Sequence, residues 1–251
     1  MKAVEQSKKD DGNMTLLSHL SECRRRIGIC AAVFLIGTLV CMVKVKAFSE
    51  LLISKAPEFD FIYTAPAELF VVYMRLAITG GALAAVPVCI FELWQFLKPG
   101  LLARERSMAR LTMIFGLLLF FLGAVFAFEV VIPFSLRFFY GLNDGEKIVP
   151  MMSIESYIAY ITEILISFGI VFEFPVVVVL LTKLGLLRSI YLRRNRKYII
   201  LIIFVIAAII TPPDVSSQLL IAFPMLALFE ISILLSALVE RRGKKEDTVP
   251  N

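Results

Sequence analysis

The chain has 251 residues, 59% of them hydrophobic, with a formal net charge of +5 and a mean hydropathy of +0.85. Ordinary globular chains are about 45–50% apolar, so this composition excludes a typical soluble domain. The basic residues lie in short loops between apolar runs, which excludes a nucleic-acid-binding face. The four cysteines form no CxxC pair, which argues against a disulfide framework and against a zinc or other metal site.

Six apolar runs are at or near the length that a helix needs to cross a bilayer core of about 30 Å. The sequence therefore predicts an all-α polytopic membrane protein with a single membrane domain over residues 16–239. A flexible tail at 1–15 precedes this domain, and a second tail at 240–251 follows it. The predicted spans cover residues 27–43, 71–97, 111–132, 157–184, 198–210 and 219–239.

Lys and Arg residues are distributed unevenly between the two sides of the predicted membrane domain. The N-terminal tail, the loops after the second and fourth spans, and the C-terminal tail hold 20 of the 26. Cytoplasmic segments carry such an excess, so both termini are predicted to be cytoplasmic. With no transit peptide before the first span, we expect a prokaryotic cytoplasmic membrane.

An amphipathic helix over residues 15–26 is predicted to lie in the membrane interface and to lead into the first span. Its last turns carry Glu22 followed by Arg24, Arg25 and Arg26. The arginines suffice to set topology, and the carboxylate has two interpretations. Either it forms a local ion pair, or it binds a cation of another chain, most naturally a guanidinium, which a carboxylate binds with two hydrogen bonds.

The second span is long and contains Gly80, Gly81 and Pro87. We expect a tilted, bent helix that packs closely through its glycines. In the loop that follows, Glu105 lies beside arginines on the same side of the membrane as Glu22. The same two interpretations apply to it, and together the two carboxylates are suited to receive two arginines.

Carboxylates inside membrane spans usually face a cavity or a partner. Five fall within the spans or at their ends, and those near span ends are open to pairing with a loop arginine. Glu173 lies deep, and Pro175 two residues later bends the helix and frees backbone carbonyls. We hypothesise a wet concave site beside Glu173. The five are Glu92, Glu129, Glu163, Glu173 and Glu230.

The fifth span, residues 198–210, is only about 20 Å long as a helix. The segment Thr211-Pro212-Pro213-Asp214 ends it abruptly. A span this short thins the bilayer or seeks helical partners, so we predict local thinning beside the fifth and sixth spans.

Catalytic motifs are absent from the sequence. It holds one histidine, His19, which we interpret as a helix-face residue, and no metalloprotease, P-loop or serine-hydrolase pattern. We therefore predict neither an enzyme nor a cofactor. From the residues alone, a proton-coupled small-solute transporter with Glu173 as its protonatable group is one possible function.

Several short motifs, in order and at fixed places on the six spans, resemble the TatC family, the core subunit of the twin-arginine protein translocase. The resemblance extends from about Met14 to Val239. Its motifs are His19-Leu20-x-Glu22-x-Arg24, Trp94-x-Phe96-x-x-Pro99-Gly100-Leu101, Glu105-Arg106, Phe172-Glu173-x-Pro175, Thr211-Pro212-Pro213-Asp214-x-x-Ser217-Gln218 and Leu228-Phe229-Glu230.

The resemblance implies six helices with a concave, glove-like face, and export of folded proteins driven by the proton-motive force. It implies partners as well: twin-arginine signal peptides, single-span subunits of the TatA and TatB type, other copies of the chain and membrane lipids. It assigns no role to Glu129 or Glu163. The implied signal-peptide-binding residues are Glu22, Arg24, Phe96, Glu105 and Arg106, the intramembrane functional residues are Glu173 and Pro175, and the partner-docking residues are Thr211, Asp214 and Gln218.

Overall fold

The computed structural model describes residues 2–56, 59–97, 103–141, 151–210 and 215–246, and within these ranges it leaves out the side chains of 2–19, 97, 103–109, 216, 217, 220 and 241–246. Its elements, in chain order, are α1 (Lys2–Val43), α2 (Val45–Ile53), β1 (Asp60–Ile62), α3 (Glu68–Leu97), α4 (Ala103–Phe126), a π-helical segment (Ala127–Val131), α5 (Ile132–Gly141), β2 (Met151–Ser153), α6 (Ile154–Phe172), α7 (Phe174–Lys183), α8 (Ser189–Arg194), α9 (Arg196–Ile210) and α10 (Val215–Glu246).

The prediction of a helical polytopic membrane protein is confirmed. In the described part of the chain, five helical stretches are long and apolar enough to cross a membrane, and they coincide with predicted spans one to four and six. The fifth predicted span lies in α9, which has 15 residues and is about 22 Å long. The five stretches are Leu20–Val43, Glu68–Phe96, Arg110–Gly141, Ile154–Lys183 and Ile221–Glu240.

The N-terminal segment differs from the expectation. No proline interrupts residues 2–43, and α1 is one continuous helix from Lys2 to Val43. The structure therefore has no separate interfacial helix at 15–26. Residues 2–15 are helical, and the flexibility expected of the tail at residues 1–15 stays a prediction. The same helix carries the polar segment directly into the first span.

Close packing of α1 against α3 follows from glycines, as predicted. A methyl group on Gly80 would lie 2.8 Å from Cys41 Sγ, and one on Gly81 would lie 2.6 Å from the backbone nitrogen of Thr38. Both distances are shorter than van der Waals contact, so the two helices approach this closely only without those side chains. The helices run antiparallel, because Gly37 meets Gly81 while Arg26, earlier in α1, meets Glu92 later in α3.

A proline explains the irregular helix after α4. In the π-helical segment Ala127–Val131 the hydrogen bonds close over five residues, and the N–H of Ile132 bonds to the carbonyl of Ala127. Pro133 follows and has no N–H to donate. Because these bonds span five residues and not four, the helix passes Pro133 and continues as α5 without a break.

The core is centred on α6, which packs against α3, α4 and α10. Tyr157, Ile161, Ile164 and Phe168 are at most 1% exposed. Their spacing places them on one helical face. As Pro175 predicts, the helix is interrupted: α6 ends at Phe172 and α7 begins at Phe174, with Glu173 in the turn between them.

The end of the bundle that carries Glu68, here called the Glu68 end, has the only strands in the described residues. β1 and β2 pair in parallel, with Phe61 opposite Met152. The Tyr157 hydroxyl donates a 2.6 Å hydrogen bond to the carbonyl of Leu52. These contacts tie the segment after α1 to the start of α6.

Glu68 is 4% exposed and joins two loops at this end. Its Oε2 accepts hydrogen bonds from the N–H and the hydroxyl of Thr64, at 2.6 and 3.1 Å. Its Oε1 accepts from the Ser153 hydroxyl at 2.5 Å and from the N–H of Glu155 at 3.4 Å. A buried carboxylate therefore holds the start of α3 against β2 and α6.

Candidate functional site

Glu22, Arg26 and Glu92 form an ion cluster where α1 crosses the last turns of α3; we call this end of the bundle the Arg26 end. Arg26 Nε donates to Glu22 Oε1 at 3.1 Å, one helical turn away. Its Nη1 donates to Glu92 Oε2 at 2.8 Å across the helix interface. Arg26 therefore holds a carboxylate from each of the two helices.

Exposure differs among the three groups. The side chains of Arg26 and Glu92 are 16% and 13% exposed, while that of Glu22 is 38% exposed. Two carboxylates and one guanidinium give the cluster a formal charge of −2 + 1 = −1. Both bonds from Arg26 to Glu22 end on Oε1, so Oε2 is the oxygen that a further cation would use.

Aromatic residues lie in the same turns of α3 as Glu92, and a basic side chain of α4 contacts one of them. The guanidinium of Arg110 on α4 lies 5.7 Å from the centre of the Trp94 ring, a cation–π geometry. The ring of Phe91 lies 6.1 Å from that of Trp94. Phe96 is half-buried nearby in sequence, in the last turn of α3. The end of α3 thus presents rings beside a carboxylate cluster.

Structure and sequence agree only in part on the residues of this site. Glu22 forms a local ion pair, the first of the two interpretations given above, and its partner is Arg26 and not Arg24, which is exposed. Its binding of a cation from another chain stays a prediction. The side chains of Glu105 and Arg106 lie outside the described residues. The pairing of Arg26 with both Glu22 and Glu92 was not predicted, although Glu22 and Arg26 stand at the i, i+4 spacing of helical ion pairs.

Four of the five carboxylates in or beside the spans have a cationic partner. Glu92 pairs with Arg26, and three further pairs join other elements. Only Glu173 differs: its Oε1 is buried and accepts no hydrogen bond within the described part of the chain. The three pairs are Lys55–Glu129 at 2.8 Å, Arg75–Glu163 at 3.7 Å and Arg196–Glu230 at 2.7 Å.

A cavity of about 430 Å³ lies between α4, α7 and α10, and Pro175 lines it. Among the residues that the structure describes, Thr112 is the only polar one in its lining. The wet site beside Glu173 stays a hypothesis. Glu173 itself lies in the turn before α7, next to this cavity in the chain. The lining residues are Thr112, Phe115, Leu119, Pro175, Val176, Val179, Leu235, Leu238 and Val239.

Of the three residues that the resemblance implied for partner docking, the structure describes one. Gln218, near the start of α10, donates from Nε2 to the carbonyl of Phe204 on α9 at 2.9 Å. It therefore holds the short helix α9 against α10. Thr211 and Asp214 lie outside the described residues.

Comparison with known proteins gives one consistent family. Residues 18–224 match the family model described as Sec-independent protein translocase protein (TatC). A protein of that name from Aquifex aeolicus (strain VF5) is 37% identical over 237 residues, which cover 92% of this chain and 98% of the relative. The protein of that name from Carboxydothermus hydrogenoformans is 36% identical over 234 residues, covering 92% of this chain and 96% of the relative.

Solved structures agree with this result. A crystal structure described as the twin arginine translocase receptor TatC superposes with a TM-score of 0.81 at 36% identity, covering 88% of this chain and 99% of that one. A second, in the detergent DDM, has a TM-score of 0.81 at 37% identity and covers 87% of this chain and 99% of that one.

Proposed function

The chain belongs to the TatC family of Sec-independent protein translocase proteins, and from this premise we propose that it is the signal-peptide receptor and core scaffold of a twin-arginine translocase. Such a protein binds and positions its cargo and is not an enzyme. The relatives are named as translocase components, which favours this function over the small-solute transporter that Glu173 alone suggested.

The ion cluster at the Arg26 end is the observation that carries the proposal. Its net charge is −1, and its most exposed member, Glu22, has an oxygen that Arg26 does not use. An arginine side chain arriving from a signal peptide would complete the charge balance of the cluster. Half-burial strengthens such a carboxylate–guanidinium pair relative to one in water.

Four further residues complete the proposed binding surface. Arg24 and Phe96 lie on the same two helices as the cluster, one near each carboxylate in sequence. Glu105 and Arg106, early in α4, are proposed as the second carboxylate position and its neighbour. Two carboxylates at separate positions would explain a requirement for two arginines.

Orientation follows from the charge distribution. The Lys and Arg excess lies on the segments at the Arg26 end, and we propose that this end faces the cytoplasm of a prokaryotic cell, with both termini there. Signal peptides of folded precursors would then meet the site from the cytoplasm. Transport is proposed to use the proton-motive force.

Partner docking is proposed at the junction of α9 and α10. Gln218 and the two neighbouring positions Thr211 and Asp214 offer polar groups where a short helix adjoins a long one. Single-span subunits of the TatA and TatB type would pack here, since a helix shorter than the bilayer core favours association. Further copies of the chain and membrane lipids complete the proposed assembly.

Glu173 and Pro175 are proposed as the functional pair within the membrane. Within the described part of the chain, four of the five carboxylates noted above have a cation beside them, and Glu173 has none. An unsatisfied carboxylate in a membrane protein is costly and is typically functional. We propose that it acts on the cargo path rather than in signal-peptide recognition, because it lies between helices and away from Glu22.

Binding of a twin-arginine signal peptide to the purified protein tests the receptor function. Glu22→Gln keeps the shape of the side chain and removes its charge, so we expect the dissociation constant to rise at least tenfold. Glu163→Gln is the matched control, since it removes a carboxylate near the other end of the bundle. Equal binding by the parent and Glu22→Gln would contradict the proposed site.

A further inference from the structure

Gly116 on α4 faces the carboxylate of Glu173. A methyl group built on Gly116 would lie 2.9 Å from Glu173 Oε2, 3.5 Å from Oε1 and 3.4 Å from Val176 Cγ1. The first distance is well inside van der Waals contact. The carboxylate therefore occupies space that any other residue at position 116 would fill.

Two other glycines at the same helix interface have a different role. A methyl group on Gly123 would lie 2.6 Å from the carbonyl oxygen of Phe168, and one on Gly169 would lie 2.6 Å from the ring of Phe120. These two glycines let α4 and α6 approach each other, because a backbone oxygen and a core ring fill the space beside them. At Gly116 the nearest atom is instead the far end of a charged side chain, which can move without moving a helix.

The interruption of the helix at Glu173 directs its side chain to this place. The N–H of Glu173 bonds to the carbonyl of Ile170, a tight turn that closes α6, and the N–H of Val177 bonds back to the Glu173 carbonyl in the first turn of α7. Pro175 removes the N–H that would have continued the α6 ladder. The turn and the gap at Gly116 together fix the carboxylate between α4 and α7.

We propose that Gly116 is a positioning residue for Glu173: by having no side chain, it keeps the carboxylate in the α4–α7 seam beside the apolar cavity. The inference rests on the proposed role of Glu173 in transport for its biological meaning, but the placement itself is independent of that role. Ala at position 116 would displace the carboxylate towards the cavity or the lipid.

Labelling with dicyclohexylcarbodiimide, an apolar reagent for membrane-embedded carboxyl groups, measures this placement directly. In the full-length protein in membranes, Gly116→Ala is expected to raise modification of Glu173 several-fold, read at the peptide level by mass spectrometry. Gly28→Ala is the matched control, because a methyl group at Gly28 meets nothing within 4 Å. Unchanged labelling of Glu173 in Gly116→Ala overturns the proposal.

A double-mutant cycle separates positioning from simple packing. If Gly116 makes room for the carboxylate, Gly116→Ala lowers the melting temperature in the parent and has no effect in a Glu173→Ala background. The same loss in both backgrounds, or failure of both variants to accumulate while Glu173→Ala does, means that Gly116 serves packing and overturns the proposal.

An export assay of a twin-arginine precursor then distinguishes the two claims. Raised labelling together with reduced export supports both the positioning role and the proposed function of Glu173. Raised labelling with export at the parent level supports positioning by Gly116 and contradicts the role of Glu173 in transport.

Discussion

At the scale of single residues, the proposed receptor site depends on one guanidinium that two helices share. Arg26 lies on α1 and donates hydrogen bonds both to Glu92 of α3 and to Glu22 of its own helix. The arrangement leaves the Glu22 side chain partly exposed and held by Arg26. A carboxylate held in this way loses little conformational freedom when it binds a second guanidinium, which favours binding.

Removing Arg26 tests the structural part of this interpretation. Arg26→Gln leaves Glu92, which is 13% exposed, without its cation. We expect a loss of about 1–3 kcal/mol in the free energy of unfolding, the typical cost of leaving a buried polar group unsatisfied. Thermal unfolding in detergent measures it.

Lys55→Gln is the comparison for that variant. It breaks the pair with Glu129, which is 54% exposed, and should cost only about 0–1 kcal/mol. Equal losses in the two variants would show that burial at the Arg26 cluster contributes nothing.

Helix packing sets the geometry of the site at the scale of elements. Gly80 and Gly81 let α1 approach α3, and that register brings Arg26 opposite Glu92 three turns further along. At the other end of α3, Glu68 holds the start of the helix against β2 and α6. The two glycines and Glu68 therefore help to position α3, although none of them contacts the Arg26 cluster.

Gly81→Ala should disturb both packing and binding. The added methyl group would lie 2.6 Å from the backbone nitrogen of Thr38, so α1 must shift away from α3 and Arg26 from Glu92. We expect a lower melting temperature and weaker signal-peptide binding. The exposed Gly28→Ala again serves as control, and a Gly81→Ala protein that binds like the parent would contradict this dependence.

Glu68→Ala should loosen the Glu68 end. It leaves the backbone N–H of Thr64 and the hydroxyl of Ser153 without their acceptor, which should lower the free energy of unfolding. We expect faster proteolysis of the loops around β1 and β2. Right-side-out vesicles expose this end in the proposed orientation, and protease added to them measures the rate. Proteolysis at the parent rate would mean that the other contacts of this end suffice.

At the scale of the whole molecule, the apolar runs and the prolines were enough to predict most of the fold. Length and composition predicted the long helices, and Pro175 predicted the break at Glu173. The Arg26–Glu92 pair was beyond prediction, because it depends on the register between α1 and α3. Gly116 was missed for the same reason: its role depends on where the turn at Glu173 points.

The short helix α9 gives a prediction for the assembly in the membrane. Its 15 residues are about 22 Å long, less than a bilayer core of about 30 Å. Inserting four leucines into α9 should remove the local thinning and impair export of a twin-arginine precursor, while the protein still inserts. Normal export by this variant would contradict a role for the short span.

Co-purification with a folded precursor tests the central claim most directly. The protein is isolated from membranes together with a precursor whose signal peptide carries two arginines, and with one in which both are replaced by lysine. A receptor that reads guanidinium groups retains the first and loses most of the second, since lysine cannot form the two-hydrogen-bond pair with a carboxylate. Equal recovery of the two precursors, or recovery of neither, would contradict the account.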